Sequence, residues 1–76
     1  MKEHPRISAK PNVMTGLPCI DGTRVTVSNI VRQIAAGRTP KEICDDYPYL
    51  DEAAIREALE FAADLSSGEM HDLLAS

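Results

Sequence analysis

The cysteines and histidines are the residues of this sequence that could bind a metal or act as nucleophile and base. Zinc sites take three or four such ligands at short spacings, whereas Cys19 and Cys44 stand 25 residues apart and His4 and His71 lie near the two ends. Neither histidine has a nucleophile beside it in the sequence. The sequence therefore predicts no catalytic site, no metal, no cofactor and no small-molecule substrate, and it predicts that both cysteines are reduced structural thiols.

Arg24 is a further candidate, and it follows an Asp-Gly pair within residues 19–25. Asp-Gly between β-prone residues is typical of a two-residue type I′ hairpin turn, because both turn positions need positive φ. We expect short strands near residues 18–20 and 23–26, with Arg24 projecting towards a phosphate or a carboxylate. The alternative is that its guanidinium holds the turn by bonding nearby carbonyl groups. The residues predicted to form turns are Gly16, Pro18, Asp21, Gly22 and Thr23.

Positive charge is concentrated in the first half of the chain. Residues 1–41 hold seven of the eight Lys and Arg against two carboxylates, a local net charge of +5, whereas residues 42–76 hold one Arg against ten carboxylates, a local net charge of −9. The basic half could meet phosphates or an acidic protein surface, or it could be ordinary solvated charge. The candidate residues for binding a partner protein or DNA are Arg6, Arg24, Arg32, Arg38, Lys41 and Arg56.

A short N-terminal β-element and a first helix would position part of this charge. Residues 4–9 alternate weakly between polar and apolar types, and Pro5 favours an extended arm or an edge strand there. Ser28 is a suitable N-cap for a helix over residues 29–36, whose apolar positions recur at helical spacing. Gly37 stands where a left-handed residue ends such a helix.

The second helix is predicted by several agreeing signals. Thr39 and Glu42 form a capping box, and Pro40 occupies the first helical position, where its missing N–H costs nothing. Pro48 disfavours helical backbone at the residue before it. We therefore expect a short helix that ends before this proline.

The longest helix is expected over residues 52–66, capped by Asp51 and ended by Ser66-Ser67-Gly68. A short helix, a tight break and a longer helix are typical of a DNA-binding helix-turn-helix unit. Among the polar residues of this helix only Arg56 suits a recognition helix, because most of the others are carboxylates. The alternative is a structural helix pair that does not contact a DNA groove.

These elements predict a mostly α fold with a small N-terminal β-element, organised as a single domain over residues 1–76. Its parts are a β-arm and hairpin (residues 1–27), a helix-turn-helix bundle (residues 28–66) and a tail (residues 67–76). A chain of 76 residues is near the lower limit for folding alone. We therefore expect a symmetric homodimer that forms through the N-terminal β-region.

Membrane and export signals are not expected in this sequence. No apolar run approaches the roughly 18 residues of a membrane span, and no apolar stretch of a secretory signal follows the basic residues of the N-terminal segment. The sequence therefore predicts a cytoplasmic protein with no membrane partner.

Several stretches resemble the domain of unknown function 433 family (DUF433). They are residues 4–8 (His-Pro-Arg-Ile-Ser), 11–14 (Pro-Asn-Val-Met) and 16–25 (Gly-Leu-Pro-Cys-Ile-Asp-Gly-Thr-Arg-Val), with further matches at 36–37, 39–43, 46–48 and 50. The resemblance covers roughly residues 4–63 and implies a short β-element followed by a three-helix, homeodomain-like helix-turn-helix bundle. It also implies an antitoxin of a type II toxin–antitoxin pair, which neutralises a PIN-like nuclease and regulates its own operator DNA.

Two functions from different classes follow as expectations. The first is an antitoxin-like regulator that binds a nuclease toxin and, as a dimer, operator DNA; Arg24 could then occupy the metal-binding carboxylates of the nuclease. The second is a protein-interaction module with the same fold that no longer binds DNA. A small hydrolase or metal protein has almost no support in the sequence.

Overall fold

The computed structural model describes residues 3–75, and it places the side chains of residues 3–67. Over these residues the chain forms strand β1 (Ile7–Ser8), a 3-10 turn (Met14–Gly16), strand β2 (Cys19–Ile20) and helices α1 (Val27–Ala35), α2 (Pro40–Asp46) and α3 (Glu52–Ala75). The predicted class, mostly helical with a small β-element near the N-terminus, is confirmed.

The β-element differs from the predicted hairpin in its pairing. Strand β2 pairs antiparallel with the arm strand β1, with Ile7 opposite Ile20 and Ser8 opposite Cys19. The strand expected over residues 23–26 contributes only an isolated bridge between Cys19 and Thr26. The arm pairs with β2 because this position buries Ile7 completely, at 0% exposed.

The Asp-Gly turn is also not of the predicted type I′. Gly22 has a φ of +78° but the residue before it has no positive φ, as in a type II turn. Thr23 makes bonds that hold this geometry: its N–H donates to the carbonyl of Ile20 (3.0 Å), its hydroxyl donates to the same carbonyl (2.8 Å), and its Oγ1 accepts the N–H of Val25 (3.0 Å). Threonine, rather than arginine, therefore holds the turn.

The loop between β1 and β2 contains a left-handed turn. Met14, Thr15 and Gly16 have φ angles of 47°, 54° and 86°, and left-handed backbone costs a non-glycine residue about 1–2 kcal/mol. The N–H of Gly16 donates to the carbonyl of Val13 (3.0 Å), and the N–H of Leu17 donates to that of Met14 (3.1 Å). These two bonds close the turn at the break predicted for Gly16.

Helix α1 begins earlier than predicted, because Thr26 and not Ser28 is its N-cap. The Oγ1 of Thr26 accepts the N–H of Asn29 (3.1 Å), and the helix starts at Val27. The N–H of Val27 donates to the carbonyl of Pro18 (2.9 Å). The β-bridge at Thr26 and this bond both favour the earlier start, which also buries Val27.

The end of α1 agrees with the prediction for Gly37. This glycine has a φ of +93°. Its N–H donates to the carbonyl of Ile34 (2.9 Å), and the N–H of Arg38 donates to the carbonyl of Gln33 (3.0 Å). This pair of bonds is the Schellman motif, which satisfies the last carbonyl groups of a helix.

The beginnings of α2 and α3 also agree with the predictions. Thr39 Oγ1 accepts the N–H of Glu42 (3.2 Å), and the Glu42 carboxylate accepts the N–H of Thr39 (2.9 Å), which completes the capping box. Asp51 Oδ1 accepts the N–H of Ala54 (2.8 Å) at the start of α3. Helix α2 ends at Asp46, before the proline that was expected to stop it.

The predicted end of α3 is wrong, because the helix runs to Ala75 through Ser66-Ser67-Gly68. A single helical glycine costs only about 1 kcal/mol, and no proline follows it. The expected tail is therefore helical through residue 75, and residue 76 lies outside the described residues. None of the helices in the described part combines the length and apolar composition that crossing a membrane requires.

The core joins the β-element to all three helices of the described chain. Its fully buried isoleucines come from β1, α1, α2 and α3 in turn, namely Ile7, Ile30, Ile43 and Ile55. The buried face of α3 includes two small residues, Ala54 and Ala58. Because both strands and all three helices of the described chain contribute to one core, the arm is held in a fixed position against the helices.

Removing the α2 cap is expected to destabilise the fold: Thr39→Ala should lower the free energy of unfolding by about 1 kcal/mol. Hydrogen bonding from Thr39 also lowers the pKa of Glu42 below its ordinary value of 4.5. The ionised Glu42 carboxylate therefore stabilises the fold above pH 4.5, and this stabilisation is lost as the pH falls through the pKa of Glu42 in the folded state. Urea unfolding at neutral and acid pH measures both effects. Glu42→Gln should reduce only the part of the loss of stability at acid pH that Glu42 causes. An unchanged urea midpoint for Thr39→Ala would contradict the prediction.

Candidate functional site

An open cleft lies where the arm, the Gly22 turn and the connection between α2 and α3 meet. Its volume is about 560 Å³, and we name it the arginine cleft. Tyr49, which is 66% exposed, stands at its edge. The residues that line it are Ser8, Lys10, Val13, Gly22, Thr23, Arg24 and Tyr49. Since β1 and the Thr23 hydrogen bonds hold both walls, the cleft is largely preformed.

Arg24 is exposed in this cleft and makes no hydrogen bond or ion pair with any residue that the structure describes. The alternative expectation, in which its guanidinium bonds carbonyl groups of the turn, is therefore not what the structure has. Its planar group of five N–H donors is available to a partner, and this group matches a carboxylate or a phosphate in bidentate geometry.

Lys10 is the other cation of the arginine cleft, but its charge is partly offset. Its Nζ lies 3.5 Å from the Oδ1 of Asp21. Hydrogen bonding from Ser8 and the charge of Lys10 lower the pKa of Asp21, so this carboxylate is ionised at neutral pH. The cation that remains unpaired in the cleft is Arg24.

Two of the other predicted cations are used within the fold. Arg6 lies 3.6 Å from Asp51 and 3.8 Å from Glu57, and its backbone N–H also donates to Glu57. Arg38 donates to the carboxylate of Asp46, which raises the pKa of its guanidinium. These pairs attach the arm to α3 and the α1–α2 connection to α2, so each arginine already has a carboxylate partner within the fold.

The remaining predicted cations are exposed but scattered. Arg32, Lys41 and Arg56 lie on α1, α2 and α3 respectively, and among the described residues none of them forms an ion pair or lines the arginine cleft. On α3 the neighbours of Arg56 on the exposed surface include Glu52 and Glu60. Of the six predicted cations, only Arg24 lines the arginine cleft, whereas Arg32 and Arg6 line other open surfaces of the described chain.

Comparison with known proteins identifies the family of this chain. The sequence model of a family described as protein of unknown function (DUF433) matches residues 7–62. The chain belongs to the DUF433 family. An uncharacterized protein of Sinorhizobium fredii, y4eO, is 32% identical over 56 residues, which is 74% of this chain and 25% of the relative. The chain thus spans about a quarter of that relative's length, and no solved structure matches it significantly.

No pattern in the sequence indicated the role of His4 in this DUF433 chain. The side chain of His4 is 11% exposed, and its Nε2 lies 2.8 Å from the Oδ2 of Asp64. Its ring also meets that of Phe61 edge to face at 5.5 Å. Glu3 adds a third potential metal-ligand atom within 4.8 Å of the other two. Sixty residues separate His4 from Asp64, so no local pattern links them, and the side chain of His71 lies outside the described residues.

The two cysteines of the DUF433 chain are free thiols. Burial raises the pKa of Cys19. Burial also raises the pKa of Cys44, and the carboxylates of Glu52, Asp51 and Asp45 add to that effect. Since both shifts favour the protonated thiol near neutral pH, neither cysteine is activated as a thiolate nucleophile.

Proposed function

We propose that this DUF433 chain is a non-enzymatic, antitoxin-like regulator that binds and neutralises a PIN-like nuclease toxin in the cytoplasm, with the arginine cleft as its contact surface. One observation carries the proposal: Arg24 is exposed at the end of a rigid turn and has no partner among the described residues. The family resemblance noted in the sequence suggests the class of partner, and the cleft suggests how it is contacted.

The chemistry of a metal-dependent nuclease fits an unpaired arginine. Such enzymes hold Mg²⁺ with clustered carboxylates. A guanidinium bonded to those carboxylates in bidentate geometry would compete with the metal and close the active site. Tyr49 lines the same cleft as Arg24, and tyrosine and arginine are among the residue types that most often dominate the binding energy of protein interfaces.

Reading of operator DNA by α3 has less support than nuclease binding. Over residues 52–67, whose side chains the structure describes, the exposed surface of α3 carries Glu52, Glu60 and Asp64 with a single cation, Arg56. Carboxylates repel the phosphate backbone, which supplies most of the affinity of DNA-binding proteins. We therefore favour a protein-interaction module whose helix pair is structural, and a sequence-preferring, salt-sensitive shift of promoter DNA by the purified chain would contradict that part of the proposal.

The nuclease proposal is tested with the product of the neighbouring gene. Producing that product alone should arrest growth, and producing it together with this chain should restore growth. Arg24→Ala should abolish the rescue and weaken binding of the purified proteins by about 30-fold or more, the effect of losing an interface hot spot of about 2 kcal/mol. Arg24→Lys should recover only part of the affinity, because lysine keeps the charge but not the bidentate geometry.

Lys41→Ala is the matched control, because Lys41 is also exposed and unpaired within the described chain but does not line the cleft. It should rescue growth and bind like the wild-type chain, and all variants should melt at the wild-type temperature. A neighbouring gene product that does not arrest growth, or full rescue of growth by Arg24→Ala, would contradict the proposal.

A further inference from the structure

A second group of side chains lies outside the arginine cleft, where the N-terminal end of the arm meets α3. The Nε2 of His4 lies 2.8 Å from the Oδ2 of Asp64, and a carboxylate oxygen of Glu3 lies within 4.8 Å of both atoms. We name Glu3, His4 and Asp64 the arm cluster. None of its members lines the arginine cleft, so a ligand of the arm cluster contacts different side chains from the partner of Arg24.

The imidazole of the arm cluster is held in place by the fold. The side chain of His4 is 11% exposed, and its ring packs edge to face against that of Phe61 at 5.5 Å. Pro5 restricts the backbone of the residue before it, and the N–H of Ile7 donates to the carbonyl of His4 (2.9 Å). The Nε2 atom is therefore presented at a fixed position beside Asp64, whose side chain is 65% exposed. One side of the cluster is thus rigid, and the other is open to solvent.

The charges of the arm cluster favour a bound cation. The carboxylate oxygens of Glu3 and Asp64 lie within 4.8 Å of each other, and within the described chain neither carboxylate forms an ion pair with a lysine or an arginine. Glu60, which is also exposed, stands one helical turn before Asp64 on α3 and adds negative charge to this surface. Carboxylates at this spacing repel each other, and a cation bound between them would remove that repulsion.

We propose that the arm cluster is a binding site for a divalent transition-metal ion of the zinc type. An imidazole nitrogen and two carboxylate oxygens are ligands that Zn²⁺ accepts, at about 2.0–2.2 Å, and the imidazole distinguishes such a site from the all-oxygen sites of Mg²⁺ and Ca²⁺. Two ligands of a tetrahedral ion lie roughly 3.3 Å apart at these bond lengths, so His4 and Asp64 need to separate only slightly. The exposed Glu3 side chain supplies the third ligand, and water completes the coordination on the solvent side. The neutral imidazole then carries its proton on Nδ1.

A metal ion at the arm cluster would join the arm to α3. Two of its ligands, Glu3 and His4, belong to the arm, and the third, Asp64, belongs to the helix. Sixty residues separate His4 from Asp64, so the sequence contains no spacing that indicates the site. Because the unfolded chain does not hold the three ligands together, the ion binds the folded state preferentially and stabilises it.

The test is a titration of the purified, untagged chain with Zn²⁺, followed by calorimetry and by thermal unfolding. We expect a single ion for each chain, and a rise in melting temperature of at least about 5 °C when free Zn²⁺ exceeds the dissociation constant about 100-fold. Asp64→Asn and Glu3→Gln should each raise the dissociation constant at least about tenfold, because even residues that only orient metal ligands contribute about 10–100-fold. Zn²⁺ should also slow hydrogen exchange of the β1 amides.

Glu60→Gln and His71→Ala are the matched controls, because the first removes an exposed carboxylate of α3 and the second removes the other histidine of the sequence. Both should bind Zn²⁺ like the wild-type chain, with circular dichroism confirming that all variants are folded. A wild-type chain that binds no Zn²⁺ at millimolar concentration, unchanged binding by Asp64→Asn, or loss of binding in His71→Ala would overturn the proposal. Equal stabilisation by Mg²⁺ would also overturn it, because an ordinary acidic surface would then explain the effect. None of these results bears on the rescue of growth, since Arg24 is unchanged in every variant.

Discussion

Replacing Ile55 by alanine is expected to remove a large part of the stability of the protein. Ile55 is 0% exposed and packs in the core cluster that all three described helices share. Truncating a buried isoleucine to alanine costs about 2–5 kcal/mol, whereas a chain of this size has roughly 4–11 kcal/mol of stability in total. The melting temperature should therefore fall by about 10 °C or more, since each kcal/mol shifts the midpoint of a small domain by about 4–8 °C. Thermal and urea unfolding followed by circular dichroism measure the change.

Tyr49→Ala is the control for this experiment, because Tyr49 is 66% exposed. It removes a larger side chain of which about a third is buried, with an edge-to-face contact to Tyr47 at 6.0 Å, so its effect should stay within about 1 kcal/mol. If both substitutions lowered stability equally, the assignment of Ile55 to a tightly packed core would be wrong.

The second large effect is expected at the contact between the arm and α3. His4→Ala removes the bond to Asp64, the edge-to-face contact with Phe61 and most of a buried side chain. We expect a loss of about 2 kcal/mol, because a hydrogen bond and an aromatic contact each contribute about 1 kcal/mol. The backbone amides of β1 should also exchange with solvent faster, because the arm is then held by fewer contacts. Denaturation and hydrogen exchange give the two readouts.

Asp64→Asn separates charge from packing in the same contact. The Asp64 side chain is 65% exposed, and exposed ion pairs contribute little, while the amide oxygen of asparagine still accepts a hydrogen bond. This variant should lose less than half as much stability as His4→Ala. An equal loss would show that the charge of the pair, rather than the burial of the imidazole, holds the arm.

Local chemistry explains which parts of the fold could be predicted. The capping box of Thr39 and Glu42, the left-handed Gly37 and the cap at Asp51 each depend on residues within five positions of one another, and all three predictions are confirmed. The start of α1 was missed because Thr26 and Ser28 are equally suitable caps in the sequence. The β-bridge between Thr26 and Cys19, which favours the earlier one, depends on tertiary pairing.

Contacts over long distances in the sequence explain the remaining differences. The arm was predicted as an extended segment or edge strand, but its pairing with Cys19–Ile20 and the bond from its histidine to a residue 60 positions away have no local sequence signal. The same reason applies to the candidate cations. Arg6 is taken up by Glu57, which is 51 positions away, whereas Arg24 stays unpaired among the described residues. Charge counts identified both arginines as candidates, but only the folded structure shows which of them is paired within the described chain.

The left-handed turn at Met14–Gly16 has a consequence for how this protein can change by mutation. Val13, on one side of the turn, lines the arginine cleft, and Leu17, on the other side, lines an open surface between α1 and α3. A residue inserted between them would alter the register of both surfaces at once. Insertions elsewhere in a surface loop are commonly tolerated, but this connection is short and its backbone conformation is fixed at both ends. Homologous sequences that keep both surfaces should therefore keep its length.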